Sequence, residues 1–187
     1  MAEGILRAWP RVKGADGKGK VRVWLMDGAG HFFFEVLRVL KESWPTELDS
    51  RVEFSLVDWA KAMNKYHADA IPCAKVLAGD IHALIKDCAD CALPHCVYFN
   101  YSLRTTGTTT KGMYEPGAFP GSNYDTGDCM AATAASCSKL LGADADTRLM
   151  MLSFSVVRGG TGTDAKMRVA FGDTLAATEA SPIASLS

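Results

Sequence analysis

The sequence predicts an α/β fold, a doubly wound and mostly parallel sheet with an antiparallel hairpin at its C-terminal end. Three observations predict it. Short apolar, β-branched runs alternate with amphipathic helical stretches from Val21 onward. Each run closes on an acid or an amide beside a turn: Asp27-Gly28-Ala29-Gly30, Asp58-Trp59, Gly79-Asp80-Ile81 and Asn100-Tyr101-Ser102. Two later runs, 148–157 and 165–171, are joined by a glycine-rich connection that suits a hairpin.

In chain order, residues 1–20 mix Glu3, Arg7, Arg11 and Lys13 with Pro10 and glycines, and read as an N-terminal arm. The first strand is 21–26, rich in valine and large apolar residues. A helix is expected over 32–43, with Phe33, Val36, Leu37 and Leu40 at helical spacing and Glu35, Arg38, Lys41 and Glu42 elsewhere; Trp44-Pro45 closes it. The pattern then recurs. Residues 51–58 form the second strand, through Val52, Phe54, Leu56 and Val57, and 59–70 a helix that Pro72 ends. A short strand at 75–78, a helix at 81–90 and a strand at 96–99 follow. Strands alternating with helices imply right-handed parallel crossovers. Residues 103–127 are dominated by Thr, Gly, Pro, Ser and Asn and read as a long loop or lid, in which Arg104, Lys111, Tyr114, Phe119 and Tyr124 are candidates for recognising a substrate. An alanine-rich helix is expected over 128–141. The domain accordingly runs over 21–173, with a flexible tail at 174–187.

A chain of 187 residues suits one domain with a sizeable core. The net charge of −1 removes the simple argument for a nucleic-acid binder, which concentrates Lys and Arg on one face. A local basic patch stays open. No stretch approaches the roughly 18 apolar residues of a membrane span, so no membrane partner is expected. The N-terminus lacks the apolar core of a secretory signal, and a cytoplasmic or nuclear setting is the expectation. The six cysteines are then expected to be free thiols, mostly buried. Cys88, Cys91, His95 and Cys96 are zinc-ligand types, but they crowd within nine residues and no distant pair completes a tetrahedron. Packing of small thiols is the simpler expectation, with no metal. His67 is expected on a helix surface, and His31 at the first turn has a ligand, capping or packing role open to it.

In an open parallel sheet ligands bind outside the carboxyl ends of the strands. An acid there can accept from ribose hydroxyls or an adenine amine. Glycine lets a ligand approach the backbone, and the N-terminus of the next helix supplies free N–H groups. Asp58 and Asp80 also read as helix N-caps, a role that does not exclude a ligand.

The residues at these ends carry a family resemblance. The succession resembles the Rossmann-like class I S-adenosylmethionine-dependent methyltransferases. Residues 23–30 (VWLMDGAG) are similar to the family's first motif, 56–67 (LVDWAKAMNKYH) to the second, 76–81 (VLAGDI) to the third and 96–102 (CVYFNYS) to the fourth. The likeness covers roughly 21–102 and, less clearly, the hairpin. It implies S-adenosylmethionine as cofactor. Asp27, Gly28 and Gly30 would then form the turn along its methionine part. Asp58, followed by Trp59, would hold the ribose, and Asp80 and Ile81 the adenine. Asn100 and Tyr101 would face the reaction centre. The methyl acceptor stays open between nucleic acid, protein and small molecule.

Two alternatives belong to other classes. The rings of Phe32, Phe33 and Phe34 follow the glycine turn directly, and if they fill the cofactor's place the chain is a catalytically inactive, partner-binding or structural relative. A dinucleotide-dependent oxidoreductase would need a fuller Gly-x-Gly-x-x-Gly run and an acid about 20 residues on.

Overall fold

A computed structural model describes residues 1–13, 19–101, 126–144 and 148–154. Five strands, β1 (Val21–Leu25), β2 (Val52–Asp58), β3 (Lys75–Ala78), β4 (Cys96–Tyr101) and β5 (Leu149–Phe154), form one sheet in the order β3-β2-β1-β4-β5. β1 pairs in parallel with both β2 and β4, and β2 in parallel with β3. The N–H of Leu149 donates to the His95 carbonyl at 2.8 Å, so β5 and β4 start from the same edge. A strand that starts there and pairs with β4 runs parallel to it. The second strand of the expected hairpin, 165–171, lies outside the described residues.

The helices are α1 (Ala2–Val12), α2 (His31–Ser43), α3 (Leu48–Arg51), α4 (Lys61–Ala70), α5 (Ile81–Asp87) and α6 (Thr126–Asp144), with a 3-10 turn at Asp90–Ala92. The segment read as an arm is therefore largely helix α1. Its Ile5 is fully buried in the core, and Trp9 and Val12 pack partly buried against it. Pro10 stands in the last turn of α1, which forgoes the one bond that an N–H at this position would make to the Leu6 carbonyl.

The pleat divides the core between two faces. On one, Val21, Val23 and Leu25 of β1, Val52, Phe54 and Leu56 of β2 and Cys96 of β4 meet Ile5 of α1 and Phe33, Val36 and Leu40 of α2. On the other, Val97 and Phe99 of β4 are buried, and the His82 ring of α5 stacks on Phe99 at 5.6 Å. Helices on both faces of a parallel sheet in this order make a doubly wound, Rossmann-like fold.

The chain divides into two compact units, one of 1–101 with 140–153 and one of 102–139 with 154–187. The sheet and its strand ends to Tyr101 belong to the first. Of the second, the described residues are chiefly the greater part of α6, where Thr133, Ser136 and Cys137 are buried.

Candidate functional site at the strand ends

Parallel register sets three of the site's polar residues, Asp27, Asp58 and Asn100, on one level, with Asp80 beyond it. Leu25 aligns with Leu56 on one side and with Tyr98 on the other. Asp27, Asp58 and Asn100 each lie two residues beyond that line. Asp58 aligns with Ala78, and Asp80 lies two residues further. Neighbouring strands are about 4.8 Å apart, so the four ends make a row some 15 Å long. Strand order reverses between β1 and β4, which puts the switch-point crevice between the turn after β1 and the end of β4.

Each residue of the row has its own local reason for being there. Asp27 is buried, and its Oδ2 accepts the Phe33 N–H at 2.6 Å. Its carbonyl accepts from Gly30 N–H at 2.9 Å, closing the turn. The first N–H groups of a helix need acceptors, and the N-cap of α2 is Gly30, which has no side chain to offer one. The acid three residues earlier serves instead. The expectation of free N–H groups at this helix start is corrected accordingly, since one of them is taken from within.

The two glycines differ. Gly30 has φ +78°, and a Cβ on it would lie 2.6 Å from Ile71 Cδ1, so it is glycine for its left-handed backbone and for close packing against the end of α4. A Cβ on Gly28 would meet nothing within 4 Å, and that side of the turn is open.

Asp58 is half-buried and accepts the Ala60 N–H through Oδ1 at 2.7 Å, with half-buried Trp59 next to it. Asp80 caps α5, its Oδ1 accepting from the N–H groups of His82 at 2.8 Å and Ala83 at 2.9 Å. Ile81 is 3% exposed and belongs to the core under α5. Asn100 is half-buried near the end of β4, on the pleat face of Tyr98; Tyr101 ends that strand, and its side chain lies outside the described residues. The fold thus brings Gly28, Asp58, Asp80 and Asn100 to one edge. It turns the side chains of Asp27 and Ile81 inward.

The three phenylalanines after the turn do not act as one cluster. Phe33 is buried in the core, edge-on to Phe54 at 5.2 Å. Phe32 leans on Tyr98 at 4.2 Å, beside the switch point, and Phe34 is 46% exposed. His31 is exposed at the start of α2.

One residue of this edge escapes the sequence reading. His67 is fully buried, not on a helix surface, and its Nε2 lies 2.7 Å from the Gly28 carbonyl. The signal is the interval of four that puts Met63, His67 and Ile71 in one stripe, with His67 and Ile71 buried. Its neighbour Tyr66 reaches the Ala29 carbonyl at 3.4 Å. His67 Nδ1 and Asn64 Oδ1, on the same side of α4, are both buried without a hydrogen-bond partner. Burial also lowers the His82 pKa below its ordinary 6.5, partly opposed by the Asp80 carboxylate.

The cysteine-histidine group comes apart in the fold. Cys91 is exposed, Cys88 half-buried and Cys96 in the core with its thiol pushed up to about 12 by burial. His95 Nδ1 accepts the Arg22 N–H at 3.0 Å. The described cysteines are free thiols, but Cys73 and Cys91 are exposed, against the expectation that most are buried. Among the described residues no group of three or more His, Cys, Asp or Glu is arranged to hold a metal ion. Nor is any helix among them long and apolar enough to cross a membrane. The loop candidates Arg104, Lys111, Tyr114, Phe119 and Tyr124 lie outside the described residues.

What the edge offers chemically is a line of acceptors, Asp58, Asp80 and Asn100, beside a glycine that a ligand can approach closely. No family model, no curated protein and no solved structure matches the chain in comparisons with known proteins.

Proposed function

We propose that the chain is an S-adenosylmethionine-dependent methyltransferase whose acceptor is undetermined. The observation that carries this reading is the gathering of Gly28, Asp58, Asp80 and Asn100 at the carboxyl ends of adjacent parallel strands, with Asp58 and Asn100 at one register level and Gly28 and Asp80 one and two residues beyond it. The residues suit the ligand. Asp58, half-buried with one carboxylate oxygen bonded, can accept from ribose hydroxyls. The open side of Gly28 would admit the methionine part, and Asp80 and Ile81 would meet the adenine.

When bound, the sulfonium supplies a methyl group on an excellent leaving group, which leaves little acid-base work to the protein. The chain's own residues then bind and orient. Asn100 and Tyr101, at the end of β4 across the switch point from the turn, would align the acceptor in line with the donor. Phe32 against Tyr98 keeps water from that side.

A dinucleotide would place its pyrophosphate on the N-terminus of α2. The Asp27 carboxylate already occupies that end, and its charge opposes a phosphate there. This opposes a doubly charged pyrophosphate more than the amino-acid end of S-adenosylmethionine, whose single carboxylate is accompanied by an ammonium. The inactive, partner-binding reading has one observation of its own: Ile71, His67 and Tyr66 of the α4 segment all seat against the 28–30 turn.

Isothermal titration of the purified protein with S-adenosylmethionine separates these. The expected result is binding by the wild type, weakened about tenfold or more by Asp58→Ala. No binding by the wild type, or equal binding by the variant, would sink the methyltransferase reading.

A further inference from the structure

His67 is a costly residue to bury where it lies. Its ring is fully buried, and Nε2 is 2.7 Å from the Gly28 carbonyl. A carbonyl only accepts, so Nε2 carries the proton and donates. Nδ1 is then a bare lone pair, buried and without a donor. An apolar ring of that size would fill the space with no bare ring nitrogen, at the cost of the Gly28 carbonyl's donor. What only a donor supplies at this position is the bond to Gly28.

That bond fixes the plane of a peptide. The Gly28–Ala29 link is trans, so the Gly28 carbonyl and the Ala29 N–H point in opposite directions. With the carbonyl held on α4, the N–H faces away from α4. Ala29 is exposed, and no described group accepts from its N–H. Gly28 beside it leaves the approach open.

We propose that His67 is a positioning residue for this turn, holding the Gly28–Ala29 peptide so that its N–H is presented to an oxygen at the amino-acid end of the bound ligand. The proposal rests on the methyltransferase reading above. In that ligand the oxygen is the α-carboxylate, the one anionic group of the methionine part. His67 touches neither ligand nor acceptor, and acts through the turn.

The test compares two ligands that differ only at that end. S-adenosylhomocysteine carries the amino-acid group, and 5′-methylthioadenosine has the same adenosine and thioether without it. Both are titrated calorimetrically into wild type, His67→Phe and His67→Gln. Phenylalanine keeps the ring and loses the donor; glutamine places an amide N–H near the reach of Nε2. His67→Phe is expected to weaken S-adenosylhomocysteine about tenfold or more while 5′-methylthioadenosine stays within about twofold. His67→Gln is expected to restore most of the loss. A merely structural role would move both ligands together or neither, and either result overturns the proposal. So does a His67→Gln protein that melts like wild type and still fails to recover S-adenosylhomocysteine. If His67→Phe does not fold, His67→Asn, whose amide is too short to reach Gly28, takes its place with the same expected and overturning results. Wild-type protein that binds neither ligand overturns the methyltransferase reading itself, and that outcome is seen before any substitution is made.

Discussion

At the N-terminal edge of the sheet Arg22 donates from Nε and Nη2 to the Leu93 carbonyl at 3.0 and 2.9 Å, and from Nη2 to the Cys91 carbonyl at 2.8 Å. Its own N–H meets His95 Nδ1, and nearby the Arg51 guanidinium lies over the rings of Trp9 and Trp44 at 5.5 and 5.0 Å. At the C-terminal edge, among the described residues, the Asp58 and Asp80 side chains bond to backbone two or three residues on, each through Oδ1. The first edge ties distant segments together. The second shapes its own turns and leaves acceptor oxygens for something else. The ladders and the buried faces set the register of the strands, so the first edge adds stability and the second is the one left to serve a ligand. Asp27 breaks the rule at the C-terminal edge, being buried and bonded inward.

The comparison fails if the N-terminal edge can be cut without loss. Arg22→Ala removes the donors that two carbonyls use, and is expected to destabilise the fold by about 3 kcal/mol in chemical denaturation. Ligand affinity should stay as in wild type, because Arg22 is at the opposite end of β1. A loss below about 1 kcal/mol would mean that water replaces the guanidinium readily and that this edge is no firmer than the other.

Asp27 is the next test. Asp27→Ala leaves the Phe33 N–H buried without an acceptor, and a loss of about 2 kcal/mol is expected. Asp27→Asn keeps an acceptor oxygen and should lose less. If both variants instead keep wild-type stability and lose only ligand affinity, Asp27 belongs with the site acids and not with the scaffold.

The alternation of runs and helices made the first four strands legible to within a residue or two, because burial on both faces demands short apolar segments of fixed period. α1 was not legible, since Pro10 and the neighbouring glycines read as a break; the stripe of Ile5, Ala8, Trp9 and Val12 was the opposing signal. The row of acids was legible for the same reason as the strands: each stands where an apolar run stops. Their bonding was not. Whether Asp27 turns inward and Asp58 outward depends on which N–H group the following turn leaves unpaired, and a glycine N-cap decides that in three dimensions. His67 was hidden by its type, for a histidine on a charged helix reads as exposed until Ile71 and Gly30 are seen to meet.

Asp80 offers a smaller effect that sharpens the contrast with Asp27. As an N-cap on a short helix it should be worth about 1 kcal/mol, so Asp80→Ala is expected to lower the denaturation midpoint modestly. Asp80→Asn, which caps nearly as well, should restore stability. Under the proposed function it should not restore binding if the ligand is held by the carboxylate's charge, and calorimetry on the pair separates capping from binding.

The smallest effect concerns His82, on the second face of the same edge. Its ring stacks on Phe99 at an interplanar angle of 12°, and burial lowers its pKa below 6.5 despite the Asp80 carboxylate beside it. Below pH 6.5 the unfolded chain takes up a proton there that the folded chain resists. Stability from this group is therefore full above 6.5 and is lost as pH falls, with a slope of at most about 1.4 kcal/mol per pH unit. His82→Phe preserves a ring on Phe99 and removes the titration. Between pH 7 and 5.5, before most carboxylates protonate, its stability curve should be flatter than that of wild type. A wild-type curve already flat over that window would mean that the ring reaches water when charged. α5 would then open readily over Phe99, and the cap at Asp80 would mark a yielding part of the edge where Asp27 marks a fixed one.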